Sequence, residues 1–351
     1  MVNYLDSRRI VGTTAERSSI PIPVTAGGWV ELGRTTLGSA GDSISVSSLP
    51  DKRYYMLLGN HFKTGAISHA LQMNGDTGTS YSNRCSINGG ADFTNVNRTR
   101  LENWGAGNTN PDLSVSYISN LSSKEKLVIE HVIDQNTAGA SNAPARRENV
   151  GKWANTSNAI NELDVINYGA GDFTSGSELV VLGWDPDDTH TNNFWEELAD
   201  VNGTNATTIS SGTISAKKYL WIQLYCDAAS SGAPILRFNS DSGSNYARRY
   251  SNNGGSDSTS TSEDAIYPYY QSNANPKFIN MFVINNQSNE KLVISHTVEQ
   301  NTAGASNSPF RNELVGKWAN TSNQITNITF TDISAGNYFG TSAQLKVWGS
   351  D

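Results

Sequence analysis

Apolar and polar residues alternate along several short segments of this chain. The segment 126–134 places Leu127, Ile129 and Ile133 on one face, while valines occupy part of the other face. Alternation with a period of two is the side-chain spacing of a β-strand. Because both faces carry apolar residues, the pattern predicts a central strand that is covered on both sides. The segment 291–299 repeats this pattern and is predicted to be a second such strand.

Other segments carry the same signal. Residues 53–58 and 219–225 form a matched pair that is rich in the aromatic and apolar residues favoured in strands. Two further segments, 81–87 and 244–251, are each followed closely by an Asn-Gly pair, which is a strong hairpin signal. Helical periodicity is scarce. Only 148–155 and its repeat offer a turn of helix, and a central glycine weakens that interpretation.

The chain contains a tandem duplication. Residues 135–142 recur unchanged at 300–307, and residues 151–158 recur unchanged at 316–323, so both repeats have an offset of 165 residues. A period of that length fits one whole domain copied once rather than a solenoid repeat. The predicted organisation is an N-terminal arm (1–27), a first β-sandwich repeat (28–184), a linker (185–193) and a second β-sandwich repeat (194–351).

The expected fold is all-β, with two tandem homologous antiparallel β-sandwich domains and an extended N-terminal arm. About eight or nine strand candidates per copy exceed the strand number of a constant-type immunoglobulin domain. A jelly-roll or galectin-like sandwich accommodates that number. Cys85 and Cys226 occupy non-equivalent positions in the two copies, so free thiols are favoured over a disulfide.

Composition excludes several classes of partner. The formal net charge is −8 and the sequence pI is about 5.2, so we expect no nucleic-acid partner. The sequence contains no run of eighteen apolar residues, so we expect no membrane insertion. The first ten residues have no apolar segment of the kind found in a secretory signal peptide, so export by that route is not expected.

The retained titratable residues do not form a recognisable catalytic motif, and we expect no enzyme. His131 and His296 are equivalent. They are either general bases or metal ligands, or hydrogen-bonded sheet histidines, and the sheet interpretation is favoured. Glu148 and Glu313 are predicted to pair locally with the retained Arg or Lys residues. A glycosidase built on such carboxylates is a third, less favoured hypothesis.

The most distinctive repeated stretch carries arginine, lysine and tryptophan side chains that could bind a glycan or form an interface. A tryptophan could stack on a sugar while the basic residues donate hydrogen bonds. The alternative is a self-satisfied loop whose tryptophan fills the sandwich, and this structural interpretation is favoured. The candidate residues are Arg146, Lys152, Trp153, Arg311, Lys317 and Trp318.

The linker holds the best single candidate for a cation. Asp185, Asp187 and Asp188 concentrate three carboxylates that the second copy lacks, so Ca²⁺ is a candidate ion, although a solvated linker is favoured. No other cofactor is expected. Oxygen-rich turns at 74–78 and 239–243 are read as ordinary turns, because they lack the spacing of a calcium loop.

The arm has no counterpart ahead of the second copy. It carries Tyr4, Arg8, Arg9 and Arg17, and its Pro-Ile-Pro segment favours an extended conformation. A polar arm is poorly ordered unless something ties it down. We therefore expect it to pack on its own body or on a neighbouring molecule, as an assembly arm.

Three stretches together resemble a known class of protein. They are 4–17, the paired Lys-Trp-Ala-Asn-Thr-Ser-Asn segments and 177–188, Ser-Glu-Leu-Val-Val-Leu-Gly-Trp-Asp-Pro-Asp-Asp. The combination resembles tandem β-sandwich virion structural proteins of marine tailed phages and archaeal viruses. The resemblance implies a virion location after synthesis in the host cytoplasm, with other virion proteins as partners. It supplies no catalytic residues.

Two functions follow as hypotheses. The first is a viral structural protein, as a coat, head-decoration or fibre component, that forms homo-oligomers through sandwich faces and the arm. The alternative is an attachment module that binds a cell-surface glycan with one site in each repeat. Two such sites, one domain apart, would gain affinity through avidity.

Overall fold

The structure is a computed structural model that describes residues 28–102, 108–186, 188 and 193–351, together with the backbone of residues 3–5 and 8–11. Every regular element in these residues is a β-strand, so the all-β prediction is confirmed. No helix in the described part of the chain could span a membrane.

The described part of the arm consists of two short strands. Strand β1 (Asn3–Leu5) pairs antiparallel with β2 (Arg8–Val11), and Tyr4 lies opposite Arg9. Arg17, the fourth predicted arm residue, lies outside the described residues. The assembly role of the arm stays a prediction.

The first half of the body has eleven strands in two antiparallel sheets. The eight-stranded sheet has the order β3-β13-β5-β9-β10-β11-β7-β8, and the three-stranded sheet has the order β4-β12-β6. The strands are β3 (Val30–Thr36), β4 (Ser43–Ser47), β5 (Tyr54–His61), β6 (His69–Met73), β7 (Tyr81–Ile87), β8 (Phe93–Arg98), β9 (Asp112–Ser119), β10 (Lys126–Asp134), β11 (Ala145–Trp153), β12 (Glu162–Asn167) and β13 (Glu178–Trp184).

The second half repeats this arrangement strand for strand. Its sheets have the orders β14-β24-β16-β20-β21-β22-β18-β19 and β15-β23-β17, so the two similar antiparallel sandwiches are confirmed. The strands are β14 (Glu196–Asn202), β15 (Thr208–Ser210), β16 (Tyr219–Cys226), β17 (Pro234–Phe238), β18 (Tyr246–Asn252), β19 (Ser258–Glu263), β20 (Lys277–Ile284), β21 (Lys291–Glu299), β22 (Phe310–Trp318), β23 (Ile328–Asp332) and β24 (Gln344–Ser350).

The sequence underestimated the strand number because some strands lack an apolar face. Strand β8 is exposed along most of its length, so it carries no alternation that a pattern could detect. The weak helical signal at 148–155 corresponds to no helix, since residues 148–153 lie in β11. Cys85 and Cys226 are buried free thiols, as predicted.

Each eight-stranded sheet buries both of its faces in part. On β13, Leu179 and Val181 pack into the core beneath the three-stranded sheet, while Val180 and Leu182 point the opposite way. These opposite-facing residues join a third apolar cluster, to which both halves contribute. The layers therefore run small sheet, large sheet, large sheet, small sheet, with the two large sheets face to face.

The repeated tryptophans fill the two inner cores. Trp153 and Trp318 are each 1% exposed. Their indole N–H groups donate to Asp76 Oδ2 and Asp241 Oδ2, both at 2.7 Å. Each of these carboxylates belongs to an oxygen-rich turn, so the turns serve to satisfy a buried tryptophan.

Candidate functional site

The two halves meet at a pair of equivalent histidines. His131 of β10 and His296 of β21 lie with their ring centroids 4.3 Å apart. Residues separated by the repeat offset can meet in this way where a local two-fold axis relates the two copies. The apolar residues on either side of the histidine pair show that the contact as a whole does not follow this symmetry.

The two large sheets pack against each other on only one side of the histidine pair. Ile133, two residues after His131, and Ile294, two residues before His296, are buried in the cluster that both halves share. On the other side, Ile129 is 51% exposed and Val298 is 43% exposed. The contact between halves is therefore asymmetric, because each half uses a different end of its sheet.

The same asymmetry holds at five equivalent positions. In each pair one residue is buried between the halves and its counterpart is exposed to solvent, with exposures from 40% to 56%. The expectation that segment 126–134 is covered on both sides is wrong for Leu127 and Ile129, although it holds for their counterparts. The pairs, with the buried member first, are Leu292 and Leu127, Ile294 and Ile129, Val315 and Val150, Leu113 and Phe278, and Ile133 and Val298.

A buried lysine marks the polar edge of the closed contact. Lys317 Nζ donates to the carbonyl oxygens of Gln135, at 3.2 Å, and Thr137, at 2.6 Å. It also lies 3.2 Å from Glu290 Oε2, and Glu290 Oε1 accepts a hydrogen bond from Gly139 N–H. Loop 135–142, which is the first copy of the repeated loop, therefore packs against the second half.

Among the described residues, the counterparts of these groups make no contact between the halves. Lys152 pairs with Glu125 at 2.9 Å, and both side chains are partly exposed. The loop 300–307 is identical in sequence to 135–142, yet most of its residues are exposed. Loop 135–142 is held by a further hydrogen bond across the halves, from Ser262 N–H to Ala140 O.

Arg146 links the halves through three carboxylates. Its guanidinium donates to Asp257 at 2.6 Å and to Glu313 at 3.1 Å, both in the second half, and to Glu148 on its own strand. Arg311 lies 3.4 Å from Glu313 but is mostly exposed. The predicted local pairing of both glutamates with the retained arginines is confirmed.

The histidine pair is partly buried, and its ring nitrogens can coordinate a metal. Burial lowers the pKa of His131 to about 3 and also lowers the pKa of His296. Among the described residues, none is a hydrogen-bond partner of His131 Nδ1. One ligand atom from each histidine and one carboxylate oxygen of Glu148 all lie within 4.8 Å of one another.

A second interaction across the halves surrounds Glu178 of β13. Its carboxylate accepts hydrogen bonds from the Tyr219 hydroxyl at 2.8 Å and the Lys218 ammonium at 2.9 Å. Burial favours the neutral acid, but these bonds and one from Thr36 outweigh it and hold the pKa of Glu178 below its usual value.

A second histidine cluster exists in the first half alone. Asp112 lies 2.7 Å from His61 Nδ1, 2.7 Å from Lys63 Nζ and 3.2 Å from His69 Nε2, and all four side chains are fully buried. Because the lysine ammonium already neutralises the carboxylate, the cluster is a closed ion pair rather than an accessible site. Sequence comparison of the copies missed it, since neither histidine is repeated.

The tryptophans contradict the predicted stacking role in glycan binding. A ring that is 1% exposed cannot stack on a sugar, so Trp153 and Trp318 are core residues. Arg146 and Lys317 are also buried, in the contact between the halves. Only Lys152 and Arg311 of the six candidates project into solvent.

The linker carboxylates have protein partners. Asp188 accepts a hydrogen bond from the Lys52 ammonium, and its second oxygen accepts one from Asp185 N–H. Asp185 accepts a bond from Arg53 N–H at 3.2 Å. Asp187 lies outside the described residues. The lysine ammonium occupies the place of a cation beside Asp188, so this arrangement gives Ca²⁺ no particular support.

Comparisons with known proteins give structural likenesses only. No family model matches the sequence, and no curated protein matches it. The LG1-3 region of the laminin alpha2 chain is similar at 9% identity and a TM-score of 0.22, over 88% of this chain and 64% of that chain. The chain thus spans less than two thirds of the length of that structure.

Two further solved structures are similar at the same low level. Domains LG4-5 of the mouse laminin alpha1 chain have 10% identity and a TM-score of 0.17, over 92% of this chain and 90% of that chain. The NanC porin has 9% identity and a TM-score of 0.11, over 75% of this chain and 98% of that chain. The β-sandwich part of the predicted resemblance is confirmed by the strand pairings of the chain itself, and its virion part stays a prediction.

Proposed function

We propose that this chain is a structural protein that self-associates, as a coat, head-decoration or fibre component of a virion. In this proposal it is made in the host cytoplasm and acts in the particle. One observation carries the proposal. The exposed apolar faces of the two halves duplicate the surfaces that bind each other inside the molecule.

The two exposed faces have matching chemistry. The first-half face consists of Leu127, Ile129 and Val150, with the Lys152–Glu125 ion pair at its edge. Its counterpart in the second half binds a partner surface through the same residue types, including a Lys–Glu pair. The occupant best suited to the first-half face is therefore the exposed second-half face of another copy, which contains Phe278 and Val298.

The second-half face includes a groove that could receive such a partner. The groove has a volume of about 270 Å³ and is lined by Phe278, Asn280, Val298 and Arg311 among others. Because the contact joins unlike ends of the two copies, its repetition between molecules would be heterologous. Heterologous contacts generate rings or open filaments, which suits a particle component.

Sedimentation velocity of the full chain over a wide concentration range tests the proposal. The wild type is expected to form oligomers that Ile129→Lys abolishes, because a lysine charge would be desolvated in the contact. A control variant, Ile333→Lys, alters another exposed apolar residue outside the duplicated face and should leave association unchanged. A wild-type chain that stays monomeric at every concentration would overturn the proposal.

We propose no enzymatic role. The charged and histidine clusters described above are engaged in contacts between strands or between the two halves. The glycan-binding alternative depended on Trp153 and Trp318 as stacking rings, and both are buried. No other feature of the described residues favours it. A glycan array on the folded chain would reveal such binding directly.

A further inference from the structure

We propose that His131, Glu148 and His296 form a binding site for one Zn²⁺ ion that bridges the two halves. Two imidazole nitrogens and one carboxylate oxygen are a donor set that zinc accepts, with bonds of about 2.0–2.2 Å and a remaining position for water. The first half supplies His131 and Glu148, and the second half supplies His296. The site therefore exists only when the halves are docked.

The geometry brings the three donors close to coordination distance. Their ligand atoms lie within 4.8 Å of one another. Two ligands of one tetrahedral zinc ion lie about 3.4 Å apart, since each bond is about 2.0–2.1 Å long. Side-chain rotations that shorten the longest separation by about 1.5 Å bring all three to a shared ion.

A small cavity and an unpartnered nitrogen point independently to an occupant. Both histidines, Glu148 and Arg146 line a cavity of about 10 Å³. That volume is about the lower limit for a single water molecule, so it suits one small ion. The His131 Nδ1 atom is buried and has no hydrogen-bond partner in the part of the chain that the structure describes, whereas buried polar atoms in native proteins nearly always have one.

The carboxylates around the cavity can offset the positive charge of a bound cation. Three carboxylates, those of Glu148, Asp257 and Glu313, surround the guanidinium of Arg146. If zinc takes Glu148, Arg146 keeps its hydrogen bonds to the other two. The second guanidinium nearby, that of Arg311, is mostly exposed and lies 3.4 Å from Glu313. Its charge acts on His296 and Glu148, so the three carboxylates must offset this guanidinium as well as that of Arg146.

The site differs from the His61, His69 and Asp112 cluster, which also groups three potential ligands. In that cluster the Lys63 ammonium lies 2.7 Å from Asp112 and supplies the positive charge. A metal there would displace a buried lysine and leave its charge without compensation. Between the halves, the cation beside the ligand carboxylate is the Arg146 guanidinium, which would keep Asp257 and Glu313 as partners if zinc took Glu148.

Zinc titration of the metal-free full chain tests the proposal, using a chromogenic chelator as competitor. The wild type is expected to bind one Zn²⁺ per chain. His296→Gln and His131→Gln should each weaken zinc binding by at least about tenfold. Even the mutation of a residue that only hydrogen-bonds to a metal ligand lowers metal affinity about 10- to 100-fold. Glu125→Gln, which alters a partly exposed carboxylate that does not line the cavity, should keep the wild-type affinity.

Co²⁺ binding to the wild type provides a readout that does not depend on the variants folding. Cobalt in the site should give the intense visible absorption of a low-coordinate ion, and Zn²⁺ should quench it at one equivalent. Zinc should also raise the wild-type melting temperature, because an ion that binds only the docked halves stabilises them. The proposal is overturned if the wild type binds neither ion, or if folded histidine variants bind zinc as the wild type does.

Discussion

Ile294 is 3% exposed, whereas Ile129, its counterpart 165 residues earlier, is 51% exposed, although each follows the same Lys-Leu-Val sequence. The duplication gave both halves the same apolar surface, and the docking of one half on the other covers only one copy of it. Exposed apolar patches of this kind mark interaction sites in soluble proteins. This relationship connects the fold to the proposed self-association.

Substituting the two isoleucines separately should give opposite results. Ile294→Lys places a charge in the closed contact and should destabilise the folded chain by more than about 3 kcal/mol. Ile129→Lys should change the free energy of unfolding by less than about 0.5 kcal/mol, because its site is open to water. Denaturant unfolding of dilute samples measures both. Equal effects of the two substitutions would contradict the asymmetric contact.

The duplicated lysines provide a second matched comparison. Lys317→Met removes a buried ammonium that satisfies two carbonyls and Glu290, so a loss of about 3–5 kcal/mol is expected. Lys152→Met breaks a partly exposed ion pair, and its cost should be about 0–1 kcal/mol. Thermal and denaturant unfolding report the difference. A Lys317 variant as stable as the wild type would show that loop 135–142 does not depend on this lysine.

Stability should fall in acid partly through Glu178. Its pKa is depressed in the folded chain, so its contribution is fully present above the ordinary glutamate pKa of about 4.3. That contribution is lost as the pH falls through the lower folded-state value. The wild type should therefore lose stability more steeply than Glu178→Gln below pH ~4.3. Parallel stability curves for the two proteins would contradict this assignment.

The buried tryptophans should behave as core residues. Trp153→Ala and Trp318→Ala each leave a large cavity and an Asp without its indole donor, with an expected cost of about 3–5 kcal/mol. The two losses should be similar, since the two environments correspond. Chemical unfolding measures them. A folded variant of unchanged stability would instead reopen a surface role for that ring.

The sequence predicted the elements that both copies share. The 165-residue offset identified the two sandwiches, and the favoured structural interpretation of Trp153 matches its buried position. Local pairs such as Arg146 with Glu148 could also be predicted from the sequence, because residues two apart on a strand share a face. These features depend on each half alone.

The asymmetric contact was beyond prediction from the sequence. Ile129 and Ile294 have nearly identical neighbours along the chain, so no local signal distinguishes the covered residue from the exposed one. The link from Arg146 to Asp257 joins residues that are far apart in sequence and belong to different halves. The buried His61 cluster was missed for another reason, since its residues are not repeated and the duplication drew attention to positions that are.

Electron cryo-microscopy of the assembled full chain tests the central claim most directly. The account predicts that Leu127, Ile129 and Val150 of one molecule are buried against the second-half face of another, around Phe278 and Val298. An assembly in which both faces remain exposed to solvent would contradict it.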